Sequence, residues 1–231
     1  MRRNAIRTSK EAARPRRPPS RLPHLFGQGG RDRALIALAV NGPMHVRALG
    51  RAIRSDSRPV WHMVEQLIRA GLVVKRARPG GRKYVAINKR LPVYQELLGL
   101  LFALDERWPS TRVEQPTYRW GMWDDDRSMS EDHMERAFQS VVRSRILLYV
   151  AAAGTTNMQD MYESLGMGSV SALYAVNHWE RERIIRTVRS GRNRVVLLDA
   201  RFEAAAELRA LLEKMVLLSE TYRKVRGLSS R

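Results

Sequence analysis

Along this chain, apolar positions recur at helical spacing, then alternate, then turn helical again, and the whole succession occurs twice. The run RDRALIALAVN (31–41) is largely apolar and stops at Gly42, a residue suited to the backbone that closes a helix. Val46, Leu49, Ala52 and Ile53 recur at spacings of a second helix. Val60, Val64 and Leu67 supply the inward stripe of a third over about 57–70, with Asp56 placed to cap it. The segment LVVKRARPGGRKYVAIN then reads as two β-runs around a glycine-bearing, basic turn. A Leu-rich helix over 92–104 follows.

The second succession is a copy of the first. FGQGGRDRALIALAVNG (26–42) aligns without gaps to FQSVVRSRILLYVAAAG (138–154) at an offset of 112. RKYVAINKRLPVYQELLGLL (82–101) aligns to NRVVLLDARFEAAAELRALL (193–212) at an offset of 111, so one deletion between the two blocks suffices. Within the second copy a helix over 141–153 ends at Gly154, and Met158, Met161, Tyr162 and Leu165 mark a second. Ala172, Val176 and Trp179 mark a third over 169–182; IIRTVRSGRNRVVLLD is the hairpin, and a long Leu-rich helix spans 202–222.

This organisation divides the chain into a basic arm (1–25), a first domain (26–104), an acidic Trp-containing connector (105–137), a second domain (138–222) and a basic tail (223–231). The arm is Pro-rich and too poor in large apolar side chains to offset the entropy of ordering, so disorder is expected there. The connector holds Trp108, Trp120, Trp123 and the run Asp124, Asp125, Asp126. His133 and Glu135 lie near that run, but their spacing matches no closed ligand set.

Charge sharpens the picture. The formal net charge is +19, distributed as +7 over 1–25, +10 over 26–104, −4 over 105–142 and +6 over 143–231. That excess, concentrated in the first half, is the sign expected of a polyanion binder. Cysteine is absent, which removes disulfides, thiol nucleophiles and the common zinc sites. The five histidines are scattered, and no phosphate-cradling glycine loop, Gly-x-Ser-x-Gly or HExxH occurs, so neither a metal or other cofactor nor an enzymatic activity is expected. No apolar run reaches membrane-spanning length, and a cytoplasmic, nucleoid-associated protein is expected.

Helix, helix, turn, helix, hairpin is the winged helix-turn-helix plan. The segments RALIALAVNGPMHVRALGRAI, RPVWHMVEQLIRAGLVVKR and GGRKYVAINKRLPVYQELLGLL resemble the arsenical-repressor-like group of bacterial winged-helix regulators, over 26–104 well and over 138–215 more faintly. The expected fold is therefore mainly α with small β-hairpin wings, as two tandem winged helix-turn-helix domains. The expected function is sequence-specific binding of double-stranded DNA in transcription regulation.

With Val60, Val64 and Leu67 inward, the third helix turns Ser57, Arg58, Trp61, His62 and Glu65 outward, where such a helix enters the major groove. Arg58 suits a bidentate contact to guanine or a phosphate; Trp61 suits a thymine methyl or a half-buried place against the wing; His62 suits a base, a phosphate or plain solvent. Lys75, Arg76, Arg78, Arg82 and Lys83 place basic side chains on the wing, where Gly80 and Gly81 let the backbone approach a phosphate. The resemblance implies a wing against the minor groove or the DNA backbone. In copy two, Ser169, Val170, Leu173, Tyr174 and Asn177 are outward; Val170, Leu173 and Tyr174 fit either thymine methyls or a protein partner, while Arg189, Arg192 and Arg194 keep a basic wing.

In the resembled family the last helix joins the first to make the dimer interface. Helices 92–104 and 202–222 are thus expected either to pack the two copies as an intramolecular pseudo-dimer, or to pair whole chains through Leu208, Leu211, Leu212, Met215 and Leu218. Two other functions fit the same elements: a plasmid or phage replication initiator with tandem winged helices, and a protein-interaction module that holds DNA nonspecifically.

Overall fold

The computed structural model describes residues 22–27, 30–55, 57–77, 83–110, 136–191 and 193–227, with Ser57, Arg76, Ala77 and Lys83 described by backbone alone. Outside these residues lie most of the arm, Asp56, Arg78, Gly80, Gly81, Arg82 and Arg192, as well as the connector's Trp120, Trp123, Asp124–Asp126, His133 and Glu135.

The first repeat runs α1 (Arg31–Asn41), β1 (Met44–His45), α2 (Val46–Ile53), α3 (Ser57–Arg69), β2 (Val73–Ala77), β3 (Lys83–Ile87) and α4 (Tyr94–Arg107). The second has the same order: α5 (Val141–Ala153), β4 (Thr155–Asn157), α6 (Met158–Ser164), α7 (Ser169–Arg181), β5 (Ile185–Ser190), β6 (Asn193–Leu198) and α8 (Ala205–Leu218), followed by a short α9 (Glu220–Val225). The protein is mainly helical, with one small antiparallel sheet per repeat, ordered β1-β3-β2 and β4-β6-β5.

Gly42 and Gly154 sit at φ 73° at the ends of α1 and α5, a left-handed backbone where a side chain would be strained. The chain then enters a strand not expected from the sequence, β1 or β4, which pairs with the second hairpin strand, central in its sheet, in registers Met44↔Val85 and Thr156↔Val196. These strands hold two and three residues, too few for an alternating pattern.

The core is continuous through both repeats. Its apolar side chains come from α1 (Ala34–Leu38), α5 (Ile146–Val150), α4 (Leu97, Leu100, Leu101, Leu104) and α8 (Leu208, Leu211, Leu212, Met215). Helix α4 packs on α8, so the terminal helices of the two repeats meet within one chain. The expected single helix over 202–222 is instead broken at Ser219, whose hydroxyl accepts from the Tyr222 N–H and starts α9. Phe26 and Phe138, equivalent by the repeat, stack with ring centroids 5.6 Å apart and 26° between planes. Leu22 and Leu25, placed in the arm by sequence, are buried in this core.

Candidate nucleic-acid interface

Helix α3 buries Val60, Val64 and Leu67, each at most 1% exposed, and this fixes what it presents to solvent. Arg58 and His62 are exposed near its N-terminal end, with Pro59 between them. Proline removes a backbone donor that the first turn leaves unpaired in any case. Trp61 is half-buried, packed against the core, and Lys75 on β2 places its ammonium 5.2 Å from the centre of the indole ring. That contact ties the hairpin to the helix and contributes about 0.5–1 kcal/mol at a partly exposed site. Trp61 thus stands against the hairpin while part of its ring stays exposed.

His62 is held. Gln66 Oε1 accepts from Arg31 Nη2, so its amide nitrogen is the group facing His62 Nε2, at 2.7 Å. The Gln66 amide thus bridges Arg31 and the His62 ring and fixes how the imidazole is turned. A ring held so and exposed can hydrogen-bond a phosphate oxygen or a base edge. Arg31 is itself anchored, since its Nη1 donates to the Phe26 carbonyl at 3.3 Å. Neither Arg31 nor Gln66 was singled out from the sequence, although the i, i+4 spacing of His62 and Gln66 is a signal for such a pair.

The hairpin of the first repeat carries Lys75 exposed on β2, with Arg76 and Lys83 on the strands that pair as Arg76↔Tyr84 and Ala77↔Lys83. No acidic residue occurs between 72 and 88. In the second repeat the electrostatics differ. Arg194 donates to Glu180 Oε2 at 2.6 Å and to Asn177 Oδ1 at 3.1 Å, which partly neutralises it. The repeat places Ile68 where Glu180 stands and Glu65 where Asn177 stands, so the acid of that clamp is not repeated at its own position. Arg189 is exposed on β5.

The outward face of α7 is apolar. Val170, Leu173 and Tyr174 are 64%, 41% and 72% exposed, and Val188 of β5 is exposed as well. Ser169 stands at the helix start. This face and the α3 face are equivalent in the repeat but opposite in chemistry.

Between the repeats lies a polar seam. Asp32, 2% exposed, accepts from the Leu25 and Phe26 N–H groups at 2.9 Å each, and its second oxygen has no partner among the described residues. Burial pushes its carboxyl up to about 7, against those two bonds. Ser144 occupies the equivalent position and bonds the Phe138 N–H at 3.0 Å. Close by, Gln139 bonds both the His24 carbonyl and His178 Nε2, while Glu182 accepts from the His24 N–H at 3.1 Å. Burial, aided by the Arg143 charge, pushes the His178 imidazolium down to about 4. Among the described residues no group of three or more acidic or histidine side chains is placed to hold a metal ion, and no helix is long and apolar enough to cross a membrane. No protein-family model and no curated protein matches the chain.

Proposed function

We propose that the protein is a sequence-specific double-stranded DNA-binding regulator built from two tandem winged helix-turn-helix units, with α3 in the major groove and the β2-β3 hairpin as a wing on the backbone or minor groove. The observation that carries this reading is the single basic surface formed by Arg58 and His62 on α3 and by Lys75, which is fastened to that helix through Trp61. Bases positioned on two rigid elements fit the division between phosphate contacts that set register and base contacts that specify. The +10 charge of 26–104 favours the same partner. The α4-α8 contact and the Phe26-Phe138 stack support an intramolecular pseudo-dimer in place of a homodimer, because they bury four of the five apolar side chains that a second chain would need, leaving only Leu218 exposed.

The second unit supports a different role. Its apolar α7 face and partly neutralised Arg194 suit a protein partner, or thymine methyls, better than phosphate. Genome-fragment selection with purified protein tests both assignments. One motif is expected, lost with Arg58→Ala, where a bidentate base contact is worth about 1–3 kcal/mol, and retained with Leu173→Ala. Enrichment without a shared motif would overturn the regulator reading, and iterated sites would replace it with a replication initiator.

A further inference from the structure

A cavity of about 360 Å³ opens where α1, the end of α2 and the C-terminal end of α4 converge. Its size falls within the range of small-molecule sites, about 300–1,000 Å³. The floor is apolar, from Leu22, Ile36, Ala52 and Ile53, all nearly fully buried, and Trp108 forms part of the wall. Arg33, Arg54 and Arg107 line the same cavity from three different helices or helix ends, and all three are exposed. None of the three guanidinium groups has a hydrogen-bond or ion-pair partner among the described residues, and no described lining residue is acidic. The nearby Asp105 does not line the cavity itself, and its carboxylate accepts from the N–H of Ser110 on the rim at 2.7 Å.

Three arginines around an apolar floor select a ligand with two parts. A carboxylate matches the guanidinium fork, and a compact apolar body covers the floor that a bare anion would leave wet. We propose that this cavity binds a small carboxylate with an aromatic or similarly compact apolar body. Arg54 sits in the turn between α2 and α3 at φ 54°, where the Ser55 N–H closes back on the Gly50 carbonyl at 2.9 Å. A carboxylate held there touches the joint that orients α3, so that, on the DNA-binding reading above, occupancy would alter DNA affinity. The binding itself does not depend on that reading.

Isothermal titration of the full chain with 1-naphthoate, without DNA and at about 150 mM salt to screen nonspecific charge effects, tests the site. Saturable binding at one site per chain is expected, with inorganic phosphate and 1-naphthalenemethanol each about tenfold weaker or worse, since each lacks one of the two parts. The Arg54→Gln, Arg107→Gln double variant, whose fold is checked by circular dichroism, should lose about tenfold or more. Nuclear Overhauser contacts from the naphthoate ring to the Ile36 and Ile53 methyls locate the ligand without any variant. No saturable heat up to about 5 mM, far above the range of a specific small-molecule site, would overturn the proposal. So would equal binding by the double variant, equal binding of phosphate or of the alcohol, or ring contacts elsewhere.

Discussion

Replacing Phe138 with alanine removes a ring that is fully buried and stacked on its own repeat equivalent, Phe26, which is 2% exposed. Large-to-small substitution at such a site loses the transfer energy of the ring and leaves a cavity, together about 3–5 kcal/mol. Against a total stability of about 5–15 kcal/mol, that is a large share. The more telling quantity is the coupling between the rings. A cycle of Phe26→Leu, Phe138→Leu and the double variant keeps most of the apolar volume and removes the stack, which should appear as an interaction energy of about 0.5–1.5 kcal/mol. Urea denaturation followed by circular dichroism and by tryptophan fluorescence measures it, and the two probes should give one coincident transition because the core runs through both repeats. Additivity of the two substitutions within about 0.3 kcal/mol, or two separate transitions in the unsubstituted protein, would refute a shared core.

Asp32 gives a pH prediction of definite sign. Its folded value, about 7, lies above the ordinary carboxyl value of 3.8, so the folded state binds more protons between these pH values and the carboxyl opposes folding increasingly as pH rises through that window. Asp32→Asn keeps an acceptor for the Leu25 and Phe26 N–H groups; its stability relative to the unsubstituted protein should rise from near zero at pH 4 to a plateau above pH 7, at most about 4 kcal/mol. Comparing the two proteins removes the opposite slope from His178, whose folded value of about 4 makes stability grow as pH rises toward 6.5. A difference independent of pH would contradict the assignment. Gln66→Ala leaves His62 and Arg31 without their shared partner and should weaken specific DNA binding by about 1 kcal/mol while leaving scrambled duplex nearly unchanged, measured by fluorescence anisotropy.

Regular elements were legible in the sequence where packing obeys a single period. The helices over 31–41 and 141–153 stand at those bounds because an apolar run ends in both at a glycine with left-handed backbone. The inward residues of α3 and α7 are buried as their spacing predicts. Local side-chain chemistry was harder to see. Ser219 offers its hydroxyl to a new helix start and so interrupts the Leu-rich run. Leu22 and Leu25 lie among prolines and arginines, and only the junction of the two repeats supplies the apolar surface that buries them.

At the candidate site, the exposure of Arg58 and His62 followed from the helical period alone. The period left two places open for Trp61, because its burial depends on Lys75 from the next strand. The same holds for the Glu180-Arg194 pair, which joins a helix to a hairpin and has no periodic signature. It changes one of the expected wing contacts from a free base into a half-neutralised one. Arg78, Arg82 and Arg192 lie outside the described residues.

The central claim is that this surface reads DNA sequence rather than charge alone. The most direct test is the affinity of the purified protein for its selected duplex against a scrambled duplex of equal length and composition, at about 150 mM salt where nonspecific phosphate binding is weakened. A ratio of about 10³ or more is expected. A ratio near one, with both affinities falling together as salt rises, would contradict it.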